Sequence, residues 1–332
     1  MKAAIITRNS RDAARVFPEQ IRAALAQRYE LCGVVLSKGN LNQYADLACQ
    51  TQFLFATWGM EHFTTEEIRQ YFPNLKAVFY AAGSVQGFAK EFLGCGVRVF
   101  SAWRANAIPV AEYTYAQIIL AAKGFYRAER CSRWAYSSAA RYSDRCGGNY
   151  GAKIGLIGVG SIGSLVAEKL RANDVQVLYY DPFLSAERAE ALGIHAADLE
   201  EIFSTCDVIS NHLANKEELT GILSGALFDQ MKPYATFINT GRGRQVDERG
   251  LVRAMKKVKT RTALLDVTTR EPAPPLGRLA RCRNIILTPH IAGSNGREVV
   301  RMAQFMLEEA ARVESGEPPL FEVLPDMLQT MA

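Results

Sequence analysis

The sequence predicts an α/β protein built on two parallel sheets. Three observations point there. Short apolar runs alternate with amphipathic stretches along the first hundred residues, and a second such series begins at residue 153. That alternation is the pattern of parallel strands covered by helices. A glycine-rich segment, GVGSIG at 158–163, directly follows the strand-like KIGLI. The length of 332 residues suits roughly two domains, with about three quarters of the unfolded surface buried.

In the first series, residues 3–7, 31–36, 53–57, 75–80 and 97–100 read as strands. Residues 12–28, 64–72 and 85–93 read as helices. Thr64 is a candidate N-cap, because Glu67 follows three residues later and completes a capping box. A long helical stretch runs from 106 to about 134. Pro109 lies near its start, where a missing N–H costs little. Residues 137–148 are polar, end in glycine and read as a loop. Six strands follow, at 153–158, 175–180, 207–211, 236–240, 262–267 and 284–288. With helical connections they make a doubly wound sheet. A last helix spans about 296–314.

Composition closes off other classes. Hydrophobic residues are 48% and charged residues 22%, which excludes a disordered chain and a coiled-coil rod. Lys plus Arg is 39 against 34 acidic residues, a net charge of +5, and the cations are scattered. The densest cluster, Lys256, Lys257, Lys259 and Arg261, reads as a solvated helix end. No nucleic-acid partner is therefore expected. The seven cysteines are odd in number and form no CxxC pair, so neither a disulfide framework nor a metal site is expected. Free thiols suit a cytoplasmic location. No apolar run of 18 residues occurs, so no membrane partner is expected, and the N-terminus reads as a first strand rather than a signal peptide.

The glycine segment has the context of a dinucleotide fingerprint. It follows a strand, and Ile162, Leu165, Val166 and Leu170 give the next helix an apolar face. A second strand, VQVLYY, then ends in Asp181. Gly158 permits the tight turn, Gly160 lets backbone approach a pyrophosphate, and Gly163 lets helix and strand pack closely. Ser161 and Ile162 open the helix and offer N–H groups to phosphates. Asp181 can accept from ribose hydroxyls and repel a 2′-phosphate. Its neighbours Tyr180 and Pro182 bring no cation, so NAD is favoured over NADP.

Three later segments put chemistry at strand ends. INTGRG carries Arg242, DVTTREP carries Glu271 and LTPHIAG carries His290. Each is unremarked alone: a surface Arg, a turn Glu, a structural His. Together, at successive carboxyl ends of an open sheet, they could converge on one crevice.

Here the sequence resembles the D-isomer-specific 2-hydroxyacid dehydrogenase family. The resemblance covers nearly the whole chain, from NLKAVFYAAGS and NAIPVAEYTYAQ through GLIGVGSIG and CDVISNHLANKEELTGIL. It continues in FDQMKPYATFINTGRGRQVDERGLVRAM, LLDVTTREP and NIILTPHIAGS. It implies a fold of two Rossmann-like domains, a doubly wound NAD-binding domain (105–295) inserted into a smaller flavodoxin-like substrate domain (1–104). The helix after 296 would return to the substrate domain, and the chain crossings would form a hinge with catalysis in the cleft. It implies Arg242, Glu271 and His290 as the catalytic trio, and Asp181, His212, Thr240 and Asp266 as cofactor contacts. Asp266 would meet the nicotinamide amide. Backbone N–H groups of Gly83 and Ser84 would hold the substrate carboxylate. Trp58 either lines the substrate pocket or packs in the core, and Trp103 reads as core or hinge packing.

The implied reaction is hydride transfer between NAD(H) and a small 2-keto or 2-hydroxy acid. The implied assembly is a homodimer through the NAD-binding domain. Departures from the family pattern include Ala214 where a Pro is usual, the compact Pro- and Arg-rich loop after Glu271, and TWG at 57–59. Glu271 argues against a formate dehydrogenase, which carries Gln there. A phosphite dehydrogenase uses a similar trio, and an NAD(H)-sensing corepressor shares the fold. Both stand as alternatives.

Overall fold

The computed structural model describes residues 1–329. It divides into two compact units, one comprising Met1–Asn106 with the segment from Ser294 on, the other Ala107–Gly293. Both are Rossmann-like α/β units with wholly parallel sheets.

The first unit holds β1 (Lys2–Ile6), β2 (Glu30–Leu36), β3 (Phe53–Ala56), β4 (Ala77–Tyr80) and β5 (Arg98–Ser101), in the order β2-β1-β3-β4-β5. This is the flavodoxin-like order. Every residue of β3 and β4 is buried, as expected of strands covered on both faces. The register sets Phe55 beside Phe79 and Phe79 beside Phe100. Their rings stack at 5.2 and 4.8 Å, an aromatic ladder through the core.

The helix expected over 12–28 is two helices, Ser10–Val16 and Glu19–Arg28, with Pro18 as the N-cap of the second. The Thr64–Glu67 capping box forms as expected. The helix Glu298–Glu314 buries Val299, Met302, Ala303, Met306 and Ala310 in this unit's core. Beyond it, Val323 N–H donates to Val99 O at 2.8 Å and Ser101 N–H to Phe321 O at 3.1 Å. The tail thereby covers the free edge of β5.

The second unit holds β6 (Lys153–Ile157), β7 (Gln176–Tyr180), β8 (His195–Ala196), β9 (Val208–Asn211), β10 (Thr236–Asn239), β11 (Thr262–Leu265) and β12 (Ile285–Leu287). Their order, β12-β11-β10-β9-β6-β7-β8, is the doubly wound arrangement, with one strand more than expected. The extra strand, β8, is two exposed residues at the sheet edge, too short to leave a pattern.

Three further expectations need correction. The helix Trp103–Ala122 starts early enough to place Pro109 in its interior, where the missing N–H removes one intrahelical hydrogen bond. The helical run then breaks at Gly124 (φ 67°) before the helix Phe125–Ser132. Residues 137–148 are not a loop. Most lie in the helix Tyr136–Arg145, whose buried face is only Ala139 and Tyr142, with the Tyr142 hydroxyl donating to Thr260 O at 2.8 Å. Arg261 is not part of a solvated end. It is buried and donates to the carbonyls of Phe228, Asp229 and Met231, closing the C-terminal end of a neighbouring helix. Among the described residues no helix is long and apolar enough to cross a membrane, and no cluster could hold a metal ion.

Candidate active site

The turn after β6 is built on backbone that only glycine can supply. Gly158 has φ +88°, and a Cβ there would lie 2.8 Å from the His212 carbonyl. A Cβ on Gly163 would collide with the carbonyl oxygen of Gly158. Gly160 differs: its backbone is extended and a Cβ would meet nothing within 4 Å. It therefore faces open space at the start of the helix Ser161–Leu170, which has no side-chain cap. The first N–H groups of that helix, at Ser161 and Ile162, have no intrahelical acceptor, and the helix dipole adds positive potential.

Asp181, at the end of β7, ties this turn down. Its carboxylate accepts from Val159 N at 2.7 Å and Phe183 N at 2.9 Å. The structure also brings a cation here that sequence neighbours did not provide. Lys216 Nζ sits 5.4 Å from the centre of the Phe183 ring, with Glu218 3.6 Å away as its partner. His212 is buried beside the glycine turn, its Nε2 2.9 Å from Ser210 Oγ. Burial pushes its pKa down to about 4, and its Nδ1 has no hydrogen-bond partner. An uncapped helix terminus, an open cradle at Gly160 and an orphaned ring nitrogen fit a dinucleotide.

Arg242 follows β10. A buried amide network that sequence reasoning missed shapes its loop. Asn211 Nδ2 donates to Asn239 Oδ1 (2.9 Å) and Gln245 Oε1 (2.8 Å). Gln245 Oε1 accepts from Arg242 N at 3.2 Å, and Asn239 Nδ2 donates to Arg242 O at 3.2 Å. Both backbone groups of Arg242 are thus fixed. The only signal in the sequence was amide side chains inside apolar strand ends. Thr240 is also buried, its Oγ1 3.0 Å from Thr114 Oγ1. Burial lowers the pKa of the Arg242 guanidinium, and the charge of Glu271 opposes that shift.

Glu271 and His290 meet directly, with Oε2 2.7 Å from Nδ1. The other carboxylate oxygen of Glu271 accepts from Thr268 N at 3.2 Å. His290 adopts φ +54°, uncommon for a residue with a Cβ. Asp266 holds that conformation. Its backbone carbonyl accepts from His290 N at 3.0 Å. Its carboxylate accepts from Ile291 N and Ala292 N, both at 2.9 Å, and from Thr288 Oγ1 at 2.6 Å. Asp266 is 4% exposed, so what the structure shows it doing is anchoring the His290 segment, a role the sequence did not suggest.

The remaining candidates lie in the first unit. The Gly83 carbonyl accepts from Ser101 Oγ at 2.6 Å, and Ser84 is exposed. Trp58 is half-buried against the core, with its carbonyl accepting from Thr7 Oγ1 at 2.7 Å. Trp103 packs edge-on against Phe321 at 6.0 Å, as core packing.

The chain is similar to known proteins over most of its length. A family model described as the NAD binding domain of D-isomer specific 2-hydroxyacid dehydrogenases matches residues 116–292, more than half of the chain. A D-3-phosphoglycerate dehydrogenase of Archaeoglobus fulgidus is 32% identical over 76% of this chain and 48% of its own length. A glyoxylate reductase of Korarchaeum cryptofilum is 29% identical over 76% of this chain and 77% of its own. The chain spans about half the length of the phosphoglycerate dehydrogenases it matches. Among solved structures, the apo D-mandelate dehydrogenase of Rhodotorula graminis shares the fold, with a TM-score of 0.80 at 20% identity over 97% of each chain. The matched domain binds NAD, and the turn at 158–163 suits that cofactor. The chain belongs to the D-isomer specific 2-hydroxyacid dehydrogenase family.

Proposed function

We propose that this protein is an NAD-dependent dehydrogenase that interconverts a small 2-keto acid and the corresponding D-2-hydroxy acid. The observation that carries the reading is the 2.7 Å contact between Glu271 and His290, in the unit that also carries the half-buried Arg242.

The nicotinamide supplies the hydride chemistry when bound. Arg242 binds the substrate carboxylate and polarises the C2 carbonyl, and its desolvation strengthens that interaction. His290 gives a proton from Nε2 to the carbonyl oxygen during reduction and takes it back during oxidation. Glu271 holds Nδ1 and compensates the charge on the protonated ring. Gly83 and Ser84 are assigned to the substrate carboxylate by family resemblance. Gly158, Gly160, Ser161, Ile162, Asp181, His212, Thr240 and Asp266 are assigned to the cofactor. Asp181 favours NADH over NADPH by like-charge repulsion of a 2′-phosphate. We further propose a homodimer through the NAD-binding unit. Exposed aromatic side chains at Phe125, Trp134 and Tyr136 support that assembly.

The test is cofactor oxidation with a panel of 2-keto acids, run with NADH and NADPH. Turnover with NADH is expected. His290→Ala is expected to lose roughly 10²–10⁴-fold in kcat. A panel with no turnover, or full activity in His290→Ala, would reject the reading.

A further inference from the structure

The hydrogen bonds that hold His290 do not end at Asp266. Thr288 Oγ1 lies 2.6 Å from Asp266 Oδ1 and 3.2 Å from the hydroxyl oxygen of Tyr113. Thr288 has one hydroxyl proton, and an ionised carboxylate only accepts. The Thr288 proton therefore points to Asp266, and Tyr113 must be the donor to Thr288. The result is a directed chain from the Tyr113 hydroxyl through Thr288 to the Asp266 carboxylate. Burial raises the pKa of the Tyr113 phenol, and the hydrogen bond with Thr288 opposes that shift without cancelling it. Tyr113 thus remains a donor across the working pH range.

This chain matters because of what packing does not do for His290. Its side chain is 53% exposed, so burial holds the ring only in part. A left-handed backbone and the hydrogen bond to Glu271 orient it. That backbone is held by Asp266, through its carbonyl and both carboxylate oxygens. Asp266 is in turn tied to the helix Trp103–Ala122 through Thr288 and Tyr113. The next residue on that helix, Thr114, makes the equivalent tie to Thr240, two residues before Arg242.

We propose that Tyr113 and Thr288 are positioning residues for the proton-transfer step: they brace the Asp266 carboxylate, which keeps His290 in its left-handed conformation with the ring against Glu271. The proposal rests on the reading of His290 as the acid/base. Without the brace, the His290 segment can relax toward ordinary backbone angles and the ring swings out of line. Misplacement of this kind costs rate far more than cofactor affinity, because Ile291 N and Ala292 N still hold the Asp266 carboxylate in place.

Thr288→Val keeps the shape and removes the hydroxyl, Thr288→Ser keeps the hydroxyl, and Tyr113→Phe removes only the outer donor. Thr288→Val is expected to lower kcat by roughly 10–100-fold with the NADH dissociation constant within about twofold. Thr288→Ser is expected to restore kcat to within about threefold, and Tyr113→Phe to lower it by about three- to fivefold. Because the two hydroxyls act in series, Tyr113→Phe should cost nothing more in the Thr288→Val background.

A second readout needs no turnover. The His290 ring resonances, assigned by their loss in His290→Ala, should move in Thr288→Val and Tyr113→Phe and stay in place in Thr288→Ser. Unmoved resonances with wild-type kcat in Thr288→Val would overturn the brace. So would a full additive loss in the double variant. If Thr288→Val does not fold, Tyr113→Phe decides by the same two measurements. If the wild-type protein reduces no keto acid, the proposed activity fails, while the resonances still judge the brace.

Discussion

The two units start their sheets alike and arrive at different chemistry. In each, the first strand feeds a helix through a short turn at the carboxyl edge of a parallel sheet. After β1 the helix is Ser10–Val16, and its N-cap Asn9 accepts from Arg11 N at 3.1 Å and Asp12 N at 3.4 Å. Asp12 adds a negative charge in the first turn. The positive end of that helix is satisfied from within. After β6 the cap is Gly160, with no side chain and no cap bond, so that terminus can accept a phosphate. The neighbouring strand repeats the contrast. The residue after β3 is Thr57, whose hydroxyl is satisfied by Ala81 O at 3.0 Å. The residue after β9 is His212, with an orphaned Nδ1. The topological place is equivalent, and the cap residue together with the first-turn charge sets whether it can accept an anion.

Transplanting the first unit's solution into the second should break the contrast most strongly. Gly160 has φ −73° and ψ −152°, which any L-residue can adopt, and open space for a side chain. Gly160→Asp should therefore fold, with stability unchanged or raised by a few tenths of a kcal/mol from the new cap. Its carboxylate would occupy the helix N-terminus and repel a pyrophosphate. NADH affinity should fall about 1000-fold, or about 4 kcal/mol, in a fluorescence titration beside a thermal melt. A loss smaller than tenfold in a stable variant would mean that the phosphates bind elsewhere.

His212 supplies the next largest effect, in stability. Its pKa in the folded protein is about 4, below the unfolded value of about 6.5. Between these values the unfolded chain binds the extra proton, so this contribution is full above 6.5 and is lost as pH falls toward 4. Lowering the pH from 7.5 to 5.0 should cost about 2 kcal/mol through this residue. His212→Gln should remove that part of the slope in denaturant titrations at the two values. The same slope in both proteins would show that His212 is not buried as a neutral ring.

Much of this contrast is legible in the sequence, because a glycine before a helix leaves the first N–H groups without a side-chain acceptor. The strand, the three glycines and the terminal Asp181 form one local pattern. The trio was legible as three strand-end motifs, although nothing local could show that Glu271 and His290 would meet. What stayed hidden was long-range and polar. Asn211 and Asn239 close two neighbouring strands and Gln245 follows in the turn after the second, and nothing local shows that their amides meet. Arg261 looked solvated because its cluster is charged, and only the fold shows the carbonyls it closes. The helix Tyr136–Arg145 looked like a loop because two apolar residues are too few to reveal a period. Lys216 approaches Phe183 from a different strand connection, which no reading of the neighbours of Asp181 could anticipate.

The smallest effect tests the first unit's half of the comparison. Asn9→Ala removes the cap bonds to Arg11 and Asp12 and should cost about 1 kcal/mol, a fall of about 2–4 °C in Tm for a domain of this size. NADH affinity should not change, because this terminus is not the nucleotide site. Asn9→Gly is the sharper variant. Glycine is nearly as good a cap as Asn, so stability should fall by only a few tenths of a kcal/mol. Even so, this terminus should not gain affinity for phosphate or pyrophosphate, because Asp12 still places a charge in the first turn. Gain of pyrophosphate binding in Asn9→Gly would show that the cap alone sets the difference. Gain only in Asn9→Gly combined with Asp12→Asn would show that the first-turn carboxylate is the second lock.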